Sequence, residues 1–485
     1  MKGGLVCVMI LTALVVRGYA VEYIAAVVEF QPAISPSPSR TIEDNVHEYV
    51  AFIESAKREA ANIIVFPEYG LTGMVLSQLE NYSIEIPDVG SGPTFNDINL
   101  HRLANAAREH GMFVVANVLE KSRGAANKTI FYNTNFVLNL EGKIVAKYRK
   151  INLFAEPLVT PGPRDQNNTF DTPFGKFGMF ICFDILFYNP SMSTIASGQV
   201  KNIIYPTAWF SSLPYYHSLN VQHGYAVVNK VNLLAANLNN VTAGNGGSGI
   251  YGANGQVLNY YISGLGSSRL LVAKVGSNDP QAFRSYGLKG FSGFDNKKEL
   301  ESYITPGSFS ATGYTVRKIE LSNGVELKEK VCQKGFCCEF SITANTSNIP
   351  EVYQLVVYDG QGKVIPAVDM LPIRVCALMV CDSRGESCAS RDILSSTTFQ
   401  NISIRAEVKN GKEHFYRPVT LRTQLTPLEP LMYEESTSKD MRTINIRTSN
   451  NTDIVLFGIY GRSNGSTIVF SSIFLVIMAA VRTLF

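Results

Sequence analysis

The sequence is poor in several things at once. Tryptophan occurs once, as Trp209, and the six histidines are scattered with no pair at metal-ligand spacing, so no metal centre is expected. Charged residues make up only 17% of the chain and the net charge is +3, which leaves no strong field to draw it to nucleic acid. No internal repeat and no low-complexity tract is visible. Cysteine is nearly missing from the first two thirds: only Cys7 and Cys182 precede Cys332. That scarcity makes Cys182 conspicuous.

What is there begins with the two ends. Residues 1–20 combine a basic Lys2, an apolar run from Leu5 to Val16, and small Gly18 and Ala20. This is the three-part pattern of a secretory signal peptide, too short for a comfortable membrane span; a buried first strand or helix is the alternative. At the other end, small residues Ser463 to Ser466 precede an apolar tail that runs to Phe485. Residues 464–485 therefore read as a GPI-attachment signal with Asn464 as the anchor residue, against a single-pass helix or a core strand. Either anchor places the protein on the outer face of the plasma membrane. Asn-X-Ser/Thr triplets at Asn81, Asn127, Asn167, Asn240, Asn345, Asn401 and Asn450 are candidate glycosylation sites that suit such a compartment.

Cys7 leaves with the leader. Cys332, Cys337, Cys338, Cys376, Cys381 and Cys388 form a compact even set, expected to make three disulfides. Their connectivity is open among 15 pairings. Adjacent Cys337 and Cys338 point oppositely on an extended chain, so they are expected to have different partners. Cys182 is left over, either as a buried apolar residue or as a reactive thiol.

Strand and helix signals alternate along residues 21–300. Strands are expected at Tyr23–Phe30, Ile63–Phe66, Met112–Val118, Phe177–Ile181, Ile203–Tyr205 and Leu233–Ala236, with hairpins around Glu141-Gly142 and Gly249–Leu258. Helices are expected from Thr41, with an apolar stripe through Val46, Val50, Ile53, Ala56 and Ala60, over Ile98–His110 with a stop at Gly111, and near Gln222–Lys230. Two such halves imply an α/β sandwich. Residues 301–460 read differently: Ile402, Ile404, Ala406 and Val408 alternate with polar neighbours, as in a β-rich, disulfide-stapled second domain.

Three polar residues follow apolar strands in the first domain: Glu68 after IIVFP, Lys150 after the hairpin strand, and Cys182 after FGMFI. Sites assemble at the carboxyl ends of strands in α/β sheets. A thiol is mostly protonated at neutral pH; Glu68 would act as general base, Lys150 would hold the oxyanion or donate a proton, and the Phe183 N–H would be a second oxyanion donor. The acyl group would rest as a thioester on Cys182 until water released it. Singly, each has a plain alternative: a loop glutamate, one of a solvated basic run with Lys147 and Arg149, and a core cysteine.

Taken whole, FPEYGLTG, YRKINLF and GMFICFD resemble the nitrilase (carbon-nitrogen hydrolase) superfamily. DTPFGKFGMFICFDI, YPTAWFSSLP, VNLLAANLNN, GSGIY, CQKGFCC and CALMVCDSRGESC are similar to its vanin/biotinidase branch. The resemblance covers essentially the whole mature chain. It implies a four-layer αββα nitrilase-type sandwich followed by the smaller β-rich domain, a Glu68–Lys150–Cys182 triad, and amide hydrolysis without a cofactor. It further implies a supporting Glu156, a substrate pocket near Tyr205 and Trp209, and a small-molecule amide as partner, with no obligate protein partner evident. Within the branch the implied reaction is pantetheine to pantothenate and cysteamine. The alternatives are release of biotin from biotinyl amides and a catalytically silent cell-surface binding protein.

Overall fold

The computed structural model describes residues 21–124, 127–276, 309–345, 351–363, 370–390, 393–409 and 414–463. The leader, the tail with Asn464, and most of the stretch joining the two domains lie outside these residues.

The first domain carries twelve strands: β1 (Tyr23–Glu29), β2 (Ile63–Val65), β3 (Phe113–Arg123), β4 (Thr129–Leu138), β5 (Ile144–Arg149), β6 (Thr169–Thr172), β7 (Gly175–Met179), β8 (Asn202–Thr207), β9 (Asn232–Asn237), β10 (Ser248–Tyr251), β11 (Val257–Tyr261) and β12 (Arg269–Val275). They form two six-stranded sheets, ordered β12-β1-β2-β3-β4-β5 and β11-β10-β9-β8-β7-β6. Its helices include α1 (Pro38–Arg58), α2 (Leu79–Tyr82), α3 (Ile98–His110), α4 (Ser193–Ile195) and α5 (Ser218–Asn229). The parity of β1 explains its unbroken apolar sequence. Ala26 and Val28 face α1 and α3, packing with Val46, Tyr49, Ile53, Leu100 and Leu103. Ala25 and Val27 face the other way and meet Ile204, Leu234 and Ala235 of the second sheet, against whose outer side Leu219, Tyr225 and Ala226 of α5 lie. Helices, sheet, sheet, helix: the αββα sandwich.

Local signals set the boundaries. Asp97 accepts hydrogen bonds from the Asn99 and Leu100 N–H groups, and Gly111 closes α3 at φ 55°, as the sequence implies. α1 starts three residues before the expected Thr41, because Pro38 takes the first helical position with its φ already set. The Thr41 hydroxyl serves the preceding loop instead, donating to the Ser35 carbonyl and accepting its N–H. Ala60, counted in the helical stripe, lies beyond the helix at φ 58°. Likewise α5 begins at Ser218, four residues ahead of its expected start. The short strands β6 and β12 carry no alternation strong enough to mark them in sequence.

Ten more strands follow: β13 (Thr315–Ile319), β14 (Glu326–Gln333), β15 (Phe336–Ala344), β16 (Val352–Lys363), β17 (Met370–Cys381), β18 (Phe399–Lys409), β19 (His414–Arg422), β20 (Met432–Ser438), β21 (Met441–Asn451) and β22 (Ile454–Ser463). They make two antiparallel five-stranded sheets, β13-β16-β17-β22-β19 and β14-β15-β18-β21-β20. Ile402, Ile404, Ala406 and Val408 point inward between them. Cys338–Cys376 ties one sheet to the other, Cys332–Cys337 closes the β14–β15 hairpin, and Cys381–Cys388 closes the turn after β17. Cys337 and Cys338 thus take different partners. The second domain docks through β19 on α5, where the Arg417 guanidinium donates to the Tyr215 carbonyl at 2.7 Å. The Tyr216 and Tyr460 hydroxyls are hydrogen-bonded across the same seam.

Candidate active site

Strand parity brings the site together. Along β5, Lys147 and Arg149 face one way and both bind the buried carboxylate of Glu120, at 3.0 and 2.6 Å. Tyr148 and Lys150 face the other way, so the run of basic residues is divided by the pleat. The Lys150 ammonium is 1% exposed and donates to Glu68 Oε1 at 2.7 Å and to Glu156 Oε1 at 2.5 Å. Glu68, directly beyond β2, is held from three sides: by Lys150, by Asn133 Nδ2 at 2.7 Å, and by the Ala208 N–H on Oε2 at 2.7 Å. Glu156 accepts in addition from the Tyr69 hydroxyl at 2.7 Å and Asn133 at 3.0 Å.

Cys182 is the one free cysteine among the described residues, and it is buried. After β7 the chain turns sharply, placing Cys182 at φ 46°. A non-glycine residue in this left-handed region is strained and needs surrounding structure to hold it. Asp184 supplies that structure. Its Oδ2 accepts from the Ile181 N–H and the Tyr148 hydroxyl, and its Oδ1 accepts from the backbone and side chain of Asn152. The segment after Lys150 is thereby pinned to the turn that carries Cys182. From the opposite side the Tyr205 hydroxyl donates to the Cys182 carbonyl at 2.9 Å.

The electrostatics divide the roles these groups can play. Burial alone would lower the proton affinity of Lys150; Glu156 and Glu68 outweigh it and hold the ammonium protonated well above its usual range. Burial and then the Glu68 charge push the Cys182 thiol up, while Lys150, Thr207 and the Ala208 N–H pull it back only in part. The resting sulfur is therefore a thiol that needs a base at the moment of attack. Phe183 is the second residue of a 3-10 turn (Cys182–Leu186), whose first N–H groups have no acceptor within the turn and suit an oxyanion. Among the described residues no group of His, Cys, Asp and Glu is placed to hold a metal ion.

Of the residues expected from sequence, Glu68, Lys150, Cys182, Phe183 and Glu156 converge. Tyr205 and Trp209 are both buried. Tyr205 is 1% exposed beneath the Cys182 turn, and Trp209 is buried with its ring N–H donating to the Tyr216 carbonyl. Half-buried Phe154, Phe187 and Phe210 cluster with the buried Phe183. Phe154 lies 5.2 Å from Phe183 and 6.2 Å from Phe210, and Phe183 lies 5.1 Å from Phe187. The sequence reading missed Asn133, Tyr69 and Asp184. The last two sit inside the FPEYGLTG and GMFICFD motifs, where a polar residue at a strand end was the available signal; Asn133 lies in mid-strand and carries no such mark. Of the glycosylation candidates within the described residues, Asn81, Asn127, Asn167, Asn345 and Asn450 are exposed, and Asn240 and Asn401 are half-buried.

Comparison with known proteins gives the same reading. The carbon-nitrogen hydrolase family matches residues 24–284, and the vanin C-terminal domain matches residues 305–466. Vanin-like protein 1 of Drosophila melanogaster is 31% identical over 491 residues, covering 90% of this chain and 85% of that protein. The pantetheinase of Mus musculus is 30% identical over 436 residues, covering 85% and 81%. The biotinidase of Bos taurus is 29% identical over 428 residues, covering 77% and 80%. The chain belongs to the carbon-nitrogen hydrolase family, in its vanin and biotinidase branch, and is a hydrolase of amide carbon–nitrogen bonds.

Proposed function

We propose that the protein is a surface-anchored pantetheine hydrolase that works through a thioester on Cys182. The observation that carries this reading is the buried Glu68–Lys150 contact within electrostatic reach of a protonated, otherwise unpaired thiol. Glu68 takes the thiol proton as sulfur attacks the amide carbonyl, and Lys150 and the Phe183 N–H hold the oxyanion. Collapse breaks the C–N bond, and the proton held by Glu68 leaves on the amine. Glu68 then takes a proton from water, whose oxygen attacks the thioester and releases the acid and the free thiol. Glu156 keeps Lys150 charged throughout. Phe154, Phe183, Phe187 and Phe210 offer apolar walls to a thin, uncharged acyl chain.

Two relatives named for pantetheine and one named for biotin lie at similar identity, so the acyl preference is decided by assay. The purified protein is expected to release pantothenate from pantetheine. A much higher rate on a biotinyl amide would move it to the biotinidase reading, and hydrolysis of neither would favour a silent binding protein. An address on the outer face of the plasma membrane is supported by the leader and tail sequences and the triplets at exposed asparagines. Surface activity should be released by a phospholipase that cuts GPI anchors. Activity that stays with the membrane would favour a spanning helix in the tail.

A further inference from the structure

We infer that Asn133, steadied by Asn117 and bridging Glu68 and Glu156, is the positioning residue that keeps Glu68 able to accept the thiol proton. This deepens the reading above and rests on Cys182 as nucleophile, not on which amide is cut.

Two buried carboxylates, Glu68 and Glu156, share one buried ammonium, Lys150. One negative charge is left without a counter-charge. Neighbouring carboxylates in such surroundings tend to trap a proton between them, and a Glu68 neutralised in this way could not deprotonate the thiol. Neutral donors spread the excess charge. Tyr69 serves Glu156 and the Ala208 N–H serves Glu68, but the Asn133 amide reaches both, at 2.7 Å from Glu68 Oε1 and 3.0 Å from Glu156 Oε2.

The amide of Asn133 is prevented from turning over. Its oxygen accepts from Asn117 Nδ2 at 2.8 Å, and Asn117 is fixed in turn by the Tyr69 N–H on its own oxygen at 2.9 Å and by Asn135 at 3.0 Å. Reversed, Asn133 would present its oxygen to two carboxylates. Around Glu68 the charged and titratable groups are Lys150 from the end of β5, Glu156 from the loop beyond it, Tyr69 next in sequence, Cys182 from the turn after β7, and Tyr205 from β8. Asn133 is the uncharged side chain that touches the base directly.

The test reads two pH profiles in Asn133→Leu: the alkylation rate of Cys182 by iodoacetamide, and kcat/KM on whichever amide the wild type cleaves. With one donor to the carboxylates gone, the acidic limb of both is expected to move up by about one pH unit, with KM changed by less than about twofold. Asn133→Asp, which adds a third carboxylate, should move the limb further. A side chain that merely packs would lower the rates at every pH and leave the limb in place, and that result would overturn the inference. Should Asn133→Leu fail to fold, Asn117→Ala frees the amide to turn over and should shift the limb the same way; an unmoved limb there is equally contrary. Alkylation needs no substrate, so a wild type that ignores pantetheine would sink the substrate reading and not this one.

Discussion

Each side chain at the site does one separable thing, and substitution should separate them. Glu68→Gln keeps the shape and hydrogen-bonding size of the side chain but takes no proton. Steady-state kinetics should show kcat down by roughly 10² or more with KM little changed; near-normal kcat would remove Glu68 from the mechanism. Asp184→Asn should act differently. Four N–H or O–H groups converge on that carboxylate, and an amide must turn its own N–H₂ toward some of them. We expect a loss of about 1–3 kcal/mol in denaturant-melt stability together with reduced kcat, because the Cys182 turn loosens. Unchanged stability and rate would show that the turn holds its strain without Asp184. At this scale much was legible in the sequence: Glu68, Lys150 and Cys182 each end an apolar strand, and their motifs carry a resemblance. Asn133 was not legible, since an asparagine inside β4 declares its direction only once the register of β3 and β4 is known.

Elements were legible where a local signal fixed an end, as with Gly111 at the close of α3. They were misjudged where the helix was buried on all sides. α5 shows this: its first ten residues are buried and include polar Asn220, Gln222 and His223, which blur any amphipathic stripe. The same burial gives α5 a pH response. Burial lowers His223 to about 4, opposed only in part by its hydrogen bond to the Gly255 carbonyl. Folded His223 therefore stays neutral while the unfolded chain takes up a proton near its ordinary value of about 6.5. Its contribution is fully present above pH 6.5 and is lost as pH falls toward 4. His223→Gln can keep a donor to Gly255. Its stability relative to wild type, from denaturant melts, should therefore rise by about 1.4 kcal/mol for each unit that the pH falls across that window. A pH-independent difference would mean that His223 protonates in the folded state.

At the scale of the whole molecule, the second domain is fastened to the layer of the sandwich that α5 forms. Glycine at 224 permits this contact: a Cβ there would stand 2.9 Å from the Pro418 carbonyl oxygen of β19. Gly224→Leu should pry the domains apart and split a single calorimetric transition into two. One transition at the wild-type temperature would show that the seam does not depend on that contact. The change of texture near residue 300 announced a second domain, and its adjacent cysteines implied different partners. Which sheet meets α5 could not be read from the chain, because that seam is built from Arg417, Tyr215, Tyr216 and Tyr460, residues far apart in sequence with no shared pattern.

The central claim is a covalent acyl group on one sulfur. Acid quenching during turnover of pantetheine, followed by peptide mapping in a mass spectrometer, tests it directly. The Cys182 peptide should carry the mass of a pantothenoyl group, and the same peptide from Cys182→Ala should carry none and show no turnover. Steady hydrolysis with the Cys182 peptide unmodified at every quench time, or with the acyl group on another residue, would contradict the mechanism.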